Sequence, residues 1–168
     1  MKKFLLLAAI AAMPFFASAQ ELKFGYTNAE AIMYQLPEIS GVETQLADYT
    51  AQNRKMLEDM QTEAQKEYEK LQQLLQDPTA TDAKKKIQQE TAETLYQRIQ
   101  TTQVTVQQDI QQKQAQLLKP LYDKVLKAIE TVSKKSNLLM VLEEGSLLYK
   151  TDKVIDVTPL VKKELGIQ

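Results

Sequence analysis

The chain has 168 residues, contains neither cysteine nor histidine, and balances 21 lysines and arginines against 22 aspartates and glutamates. Without thiols or imidazoles it has no catalytic triad and no usual donor set for a transition metal, and the near-neutral balance lacks the basic surplus of a nucleic-acid binder. No glycine-rich phosphate loop is present either, so the expectation is a protein that is not an enzyme and carries no cofactor or metal.

The chain opens with "MKKFLLLAAIAAMPFFASAQ". Lys2 and Lys3, the apolar stretch Phe4 to Phe16 and the small residues Ala17-Ser18-Ala19 together predict a secretory signal peptide over residues 1–19. The apolar run falls short of the roughly twenty residues a transmembrane anchor needs. Removing the two lysines with it leaves 19 basic against 22 acidic groups, a formal charge near −3.

Leu22 to Tyr26, "LKFGY", alternates like a short strand. Thr27 and Glu30 then have capping-box spacing before a short helix that Pro37 ends. A second start at Ser40-Gly41 leads into a long helix with apolar residues Val42, Leu46, Tyr49, Met56, Met60, Ala64, Tyr68, Leu71 and Leu75, interrupted at Asn53. Spacings of three and four make a narrow coiled-coil seam rather than the broad stripe of a core helix. Asp77-Pro78 stops that helix, and Thr81 or Asp82 caps its successor.

The return helix shows Ile87, Leu95, Ile99, Val106, Ile110 and Leu117, with Thr91, Thr102 and Lys113 filling seam positions. So short a loop forces the helices antiparallel, and counting outward from it sets Val42 beside Gln116. At 1.5 Å per residue, each limb spans roughly 50 Å. Pro120 is either the junction where this hairpin enters a compact body or a surface kink. Beyond it Leu121, Val125, Leu126, Ala128, Ile129 and Val132 form a wider apolar face.

In the tail, Leu138 to Leu142 is an unbroken apolar run, as in a strand covered on both faces. Glu144-Gly145-Ser146 reads as a turn, with Glu143 and Glu144 at a solvated hairpin tip and Leu147 to Tyr149 as a returning strand. Val154-Ile155 is a candidate third strand. Thr158 is placed as the cap of a last helix, with Pro159 at its first position and Gly166 at its end.

The predicted fold is α+β, mainly α. A long antiparallel helical-hairpin arm, 42–118 with its tip near 77–81, projects from a small β-rich body, 20–41 and 119–168. A body of about 70 residues seldom stabilises itself by more than about 3–5 kcal/mol without staples, so oligomerisation through the apolar strand is expected. The arm is expected to move about hinges at Pro37, Gly41 and Pro120. Two features of it can carry binding. Lys84, Lys85 and Lys86 at the tip are either a recognition patch or a solvated first turn. Met56, Met60, Tyr68, Leu71, Leu95 and Ile99 are either an adaptable apolar surface or the packing between the two helices.

"LKFGYTNAEAIMYQLPE", the hairpin, and "LLKPLYDKVLKAIETVSKKSNLLMVLEEGSLLYKTDKVIDVTPLVKKEL" together resemble the Skp (OmpH) family of periplasmic chaperones over the whole mature chain. The tail is the most specific part. The resemblance implies a homotrimeric, ATP-independent holdase in the periplasm, whose arms enclose unfolded outer-membrane β-barrel proteins and prevent their aggregation. Carried over by position, the trimer contacts fall on Phe24, Tyr26, the strand Leu138, Leu139, Met140, Val141 and Leu142, and Leu147, Leu148 and Tyr149. Family members known for lipopolysaccharide binding are strongly basic, whereas residues 45–118 here hold nine basic against eleven acidic side chains; that binding is not carried over. The competing reading is a structural or adaptor coiled coil of the cell envelope.

Overall fold

The computed structural model describes residues 22–167, and the expected signal peptide lies outside them. Strand β1 (Phe24–Thr27) leads into a one-turn helix α1 (Ala29–Met33), and the long helices α2 (Ile39–Gln76) and α3 (Asp82–Lys135) follow. Strand β2 (Met140–Glu143), a 3-10 turn at Glu144–Ser146, strand β3 (Ile155–Asp156) and helix α4 (Thr158–Leu165) complete the chain. The fold is α+β and mainly α, as the sequence predicts.

The sheet is built differently from the expected hairpin. β1 is its central strand and pairs in parallel with β2 on one side and β3 on the other. Leu147 to Tyr149 form no strand. The chain instead passes through the 3-10 turn and an irregular segment before β3, because a parallel partner cannot be reached by a tight turn. β2 is consequently an edge strand, and Leu138 precedes it rather than opening it.

Gly25 lies buried in the middle of β1. A Cβ there would stand 3.0 Å from Leu138 Cδ1, 3.0 Å from Val157 Cγ1 and 3.2 Å from Val141 Cγ2, so the close approach of three elements requires glycine. Around this point lies the body core: Ile32, Met33 and Leu36 from α1 and the turn after it, Leu121, Val125, Ala128 and Val132 from α3, and Val157 and Val161 from the start of α4. The spacing of four, three and four along α3 keeps its four residues on one face.

Several local assignments shift, each for a hydrogen-bonding reason. Asn28, not Thr27, caps α1, its Oδ1 accepting from Ala31 N at 2.8 Å. The Thr27 hydroxyl is buried and bonds the Thr158 hydroxyl at 2.9 Å, joining β1 to α4. Thr158 is therefore not the cap of α4; its backbone N–H donates to Asp156 Oδ1 at 2.9 Å. Gly41 begins no helix, because α2 starts at Ile39 directly after the turn holding Pro37 and runs through Gly41. Pro120 is exposed inside the unbroken α3. Its missing N–H leaves only the Gln116 carbonyl without its helical donor, and Gln116 is exposed to water.

Both helices that return to the body end in left-handed residues. Asn137, φ 52°, follows α3, with Leu138 N donating to Ser133 O at 3.0 Å. Gly166, φ 73°, ends α4, with Ile167 N donating to Lys162 O at 2.9 Å. Both are Schellman closures, in which the unpaired carbonyls of the last turn find donors.

Candidate functional site

The arm is a two-helix antiparallel seam, and α2, at 38 residues, is about 57 Å long. Thr81 caps α3 at the tip, its hydroxyl accepting from Lys84 N, while Asp77 Oδ1 accepts from Thr79 N at 2.8 Å and from the Thr79 hydroxyl at 2.7 Å. These bonds hold the Asp77 carboxyl below its ordinary range, with the cations Lys85 and Lys84 adding a smaller effect. Lys84 and Lys86 are exposed and Lys85 is half-buried.

Within the seam the side chains turned toward the partner helix are Tyr49, Asn53, Leu57, Met60, Ala64, Glu67, Leu71 and Leu74 on α2. Those on α3 are Lys85, Gln88, Ala92, Leu95, Ile99, Thr102, Val106 and Ile110. This corrects the expected phase: Met56, Tyr68 and Leu75 stand outside the seam, 41%, 42% and 53% exposed, and so does Ile87 at 63%. The shift begins at Asn53. From there the next inward residue is Leu57, four positions on, rather than Met56, three on. Thr102, Val106 and Ile110 make the same four-and-four step on the return helix, a local departure from the heptad. Gln116 is exposed, so Val42 is not seated on it; Val42 and Leu118 both pack against the body core.

A polar pin crosses the distal seam. Gln88 Nε2 donates at 2.8 Å to both the Glu67 carbonyl and Glu67 Oε2, and Lys70 Nζ reaches Glu67 Oε1 at 2.5 Å. The Lys70 and Gln88 bonds hold the Glu67 carboxyl below its ordinary value. Nearer the body, the Lys113 ammonium lies 5.8 Å from the centre of the Tyr49 ring.

The six apolar arm candidates therefore separate. Leu71 and Ile99 are buried in the seam, Met60 and Leu95 are half-buried there, and Met56 and Tyr68 are on the outside. Sequence reasoning missed Leu57 and Leu74 as seam residues, each masked by an apolar neighbour. It also missed Tyr96 and Val104, which are 45% and 62% exposed.

In the body, the candidate association residues form two groups. Leu139, Met140, Leu142, Leu148 and Tyr149 expose large apolar area, and Leu148 and Tyr149 are 105% and 83% exposed. Phe24, Tyr26, Leu138, Val141 and Leu147 are half-buried within the chain. The Tyr26 ring carries the Lys150 ammonium 3.4 Å from its centre, and Lys150 also reaches Glu144 Oε1 at 2.8 Å. The Glu144 bond first, then Tyr26, raises the Lys150 pKa. Glu143 does not sit at a free hairpin tip, because its Oε2 accepts from Ala29 N at 3.2 Å and ties β2 to α1.

Among the described residues no three acidic side chains are grouped to hold a metal ion, and no helix is long and apolar enough to cross a membrane. Compared with known proteins, residues 23–165 match the family described as "Outer membrane protein (OmpH-like)". A protein of Aquifex aeolicus (strain VF5) described as uncharacterized is 30% identical over 166 residues, covering 98% of this chain and 96% of that one.

Proposed function

Because the chain belongs to the OmpH-like outer membrane protein family, we propose that it is an ATP-independent holdase chaperone of the periplasm. It binds unfolded outer-membrane β-barrel proteins between helical arms and keeps them from aggregating. The observation that carries this reading is the contrast along α3. Its last third supplies the body core, while its first two thirds belong to a thin two-helix arm that leaves Tyr68, Leu75, Tyr96 and Val104 in solvent. Weak apolar contacts spread over an arm suit a mobile client, and several arms on one client multiply them through effective concentration.

Several arms require several chains, and the assembly proposed is a homotrimer. Exposed Leu139, Met140 and Leu142 on and beside the edge strand, with Leu148 and Tyr149 nearby, support association through the body. Sedimentation equilibrium of the mature protein is expected to give about three times the chain mass. Met140→Asp is expected to dissociate the assembly, because an unpaired charge in an oligomer core costs several kcal/mol. A monomer at micromolar concentration rules out the trimer.

Function is tested by light scattering of a urea-denatured membrane barrel diluted into buffer without nucleotide. The holdase reading expects suppression near one trimer per client and no binding to the folded barrel. A structural adaptor instead binds one native partner and leaves aggregation unchanged.

A further inference from the structure

The two sides of the distal arm differ in charge. Residues bordering the seam on one side are Gln61, Tyr68 and Leu75 of α2 and Gln89, Tyr96 and Gln103 of α3, none of them charged. In an antiparallel helix pair these positions fall on the same flank, because each directly follows the seam residue that closes a three-residue step: Met60, Glu67 and Leu74 on α2, and Gln88, Leu95 and Thr102 on α3. The opposite border holds Met56, Glu63 and Lys70 on α2 and Lys84, Thr91 and Arg98 on α3, so four of its six residues are charged. Tyr68, Leu75 and Tyr96 are 42%, 53% and 45% exposed, although equivalent positions could carry lysine or glutamate at no cost to the seam. Of the glutamines, Gln89 donates to Glu93 at 2.8 Å, one step further from the seam.

We propose that this uncharged flank is the wall against which an unfolded polypeptide is held, and that it takes uncharged segments of that polypeptide in extended conformation. The inference rests on the chaperone reading and adds to it which side of the arm binds and what it binds. Two tyrosines and a leucine bury apolar side chains while needing few rotamers fixed. Tyrosine hydroxyls and free glutamine amides offer both donors and acceptors to the unpaired peptide groups of an extended chain. A charged client segment finds no counter-ion among these six residues and loses hydration on packing against them. The charged border, by contrast, stays hydrated and faces away.

The test places a photo-activated cross-linking side chain at Gln61 or Gln103 on one flank and at Glu63 or Arg98 on the other. Each full-length variant is mixed with a urea-denatured membrane barrel, after its unmodified parent has been shown to suppress aggregation. Loss of suppression by the parent sinks the chaperone reading itself, separately from the choice of flank. Cross-links to the barrel are expected from the uncharged flank at about tenfold the yield of the charged one. Equal yields, a charged-flank preference, or cross-links only to a second copy of the chain overturn the proposal.

A paired measurement uses Tyr68→Gln, Leu75→Gln and Tyr96→Gln together, which keep helix propensity close to the original. This variant is expected to retain its helical circular dichroism and weaken barrel binding about tenfold or more, as three partly buried side chains warrant. Neutralising Glu63, Lys70, Lys84 and Arg98 to glutamine is expected to change affinity less than about twofold at physiological salt, where exposed charges are screened. The reverse ranking overturns the proposal.

Discussion

The body and the arm share one helix and are held together in different ways. In the body, α3 meets α1, the sheet and α4, and Ile32, Leu36, Val125, Val157 and Val161 are excluded from water almost entirely. In the arm, among the described residues, α3 meets only α2, and the residue most fully buried there is Ala64, followed by Ala92. Two helices alone surround a side chain on one side, so large residues keep an exposed edge and only small ones vanish. Burial energy scales with area removed from water. The arm therefore gains less per residue than the body and opens locally at lower free energy.

The widest separation between the regions comes from placing the same charge in each. Val125→Asp puts an unpaired carboxylate in the body core and is expected to cost more than about 4 kcal/mol, abolishing the cooperative melt. Leu71→Asp does the same in the distal seam, and there the expected outcome is loss of arm helicity with the body transition intact. Circular dichroism read during a thermal scan at fixed protein concentration checks both. A Leu71→Asp variant that unfolds throughout would make arm and body one cooperative unit.

A smaller effect probes the point where the body is tightest. Gly25→Ala forces a methyl against Leu138 and Val157 at 3.0 Å and is expected to destabilise by about 1–3 kcal/mol, measured by urea denaturation. Asn137→Gly acts in the other direction. It relieves a left-handed residue at φ 52° and is expected to stabilise the end of α3 by about 0.5 kcal/mol, with no change in arm exchange.

Acid gives the smallest effect. Glu38, Glu67 and Glu130 are held below the ordinary carboxylate value of 4.5, first through hydrogen bonds from Lys124, Lys70 and Lys134 respectively. A lowered carboxyl contributes stability that is complete above 4.5 and lost as pH falls through the folded-state value. Since Glu38 and Glu130 are solvated surface groups and Glu67 keeps one edge in water, only a slight drop in melting temperature is expected below about pH 4, and Glu67→Gln is expected to reduce it in the distal arm.

How legible this division was in the sequence differs between its parts. The turn at Asp77-Pro78 and the cap at Thr81 stand out because proline and threonine act on adjacent backbone. The seam's phase does not. Met56-Leu57 and Leu74-Leu75 are apolar pairs, so either member fits the pattern, and Glu67 fills an inward position as half of a polar pin with Gln88. A pattern that counts apolar residues passes over it and selects Tyr68. The tail fails for another reason: apolar runs separated by Glu144-Gly145-Ser146 look like a hairpin, yet the second forms no strand, and β2 pairs instead with β1, more than a hundred residues earlier, as β3 does on the other side. Nothing local to the tail announces a partner at the other end of the chain. The exposed flank of Tyr68, Leu75 and Tyr96 becomes visible only after the seam is correctly phased.

Hydrogen exchange along α3, with and without a urea-diluted membrane barrel, tests the division of labour most directly, because one continuous helix crosses both regions. Without client, residues 84–99 are expected to exchange fast and residues 121–132 slowly; with client, new protection is expected in the arm around Tyr96 and not in the body. Equal protection along α3 in the free protein, or client-induced protection confined to the body, would contradict a thin arm that captures and a body that only holds the arms together.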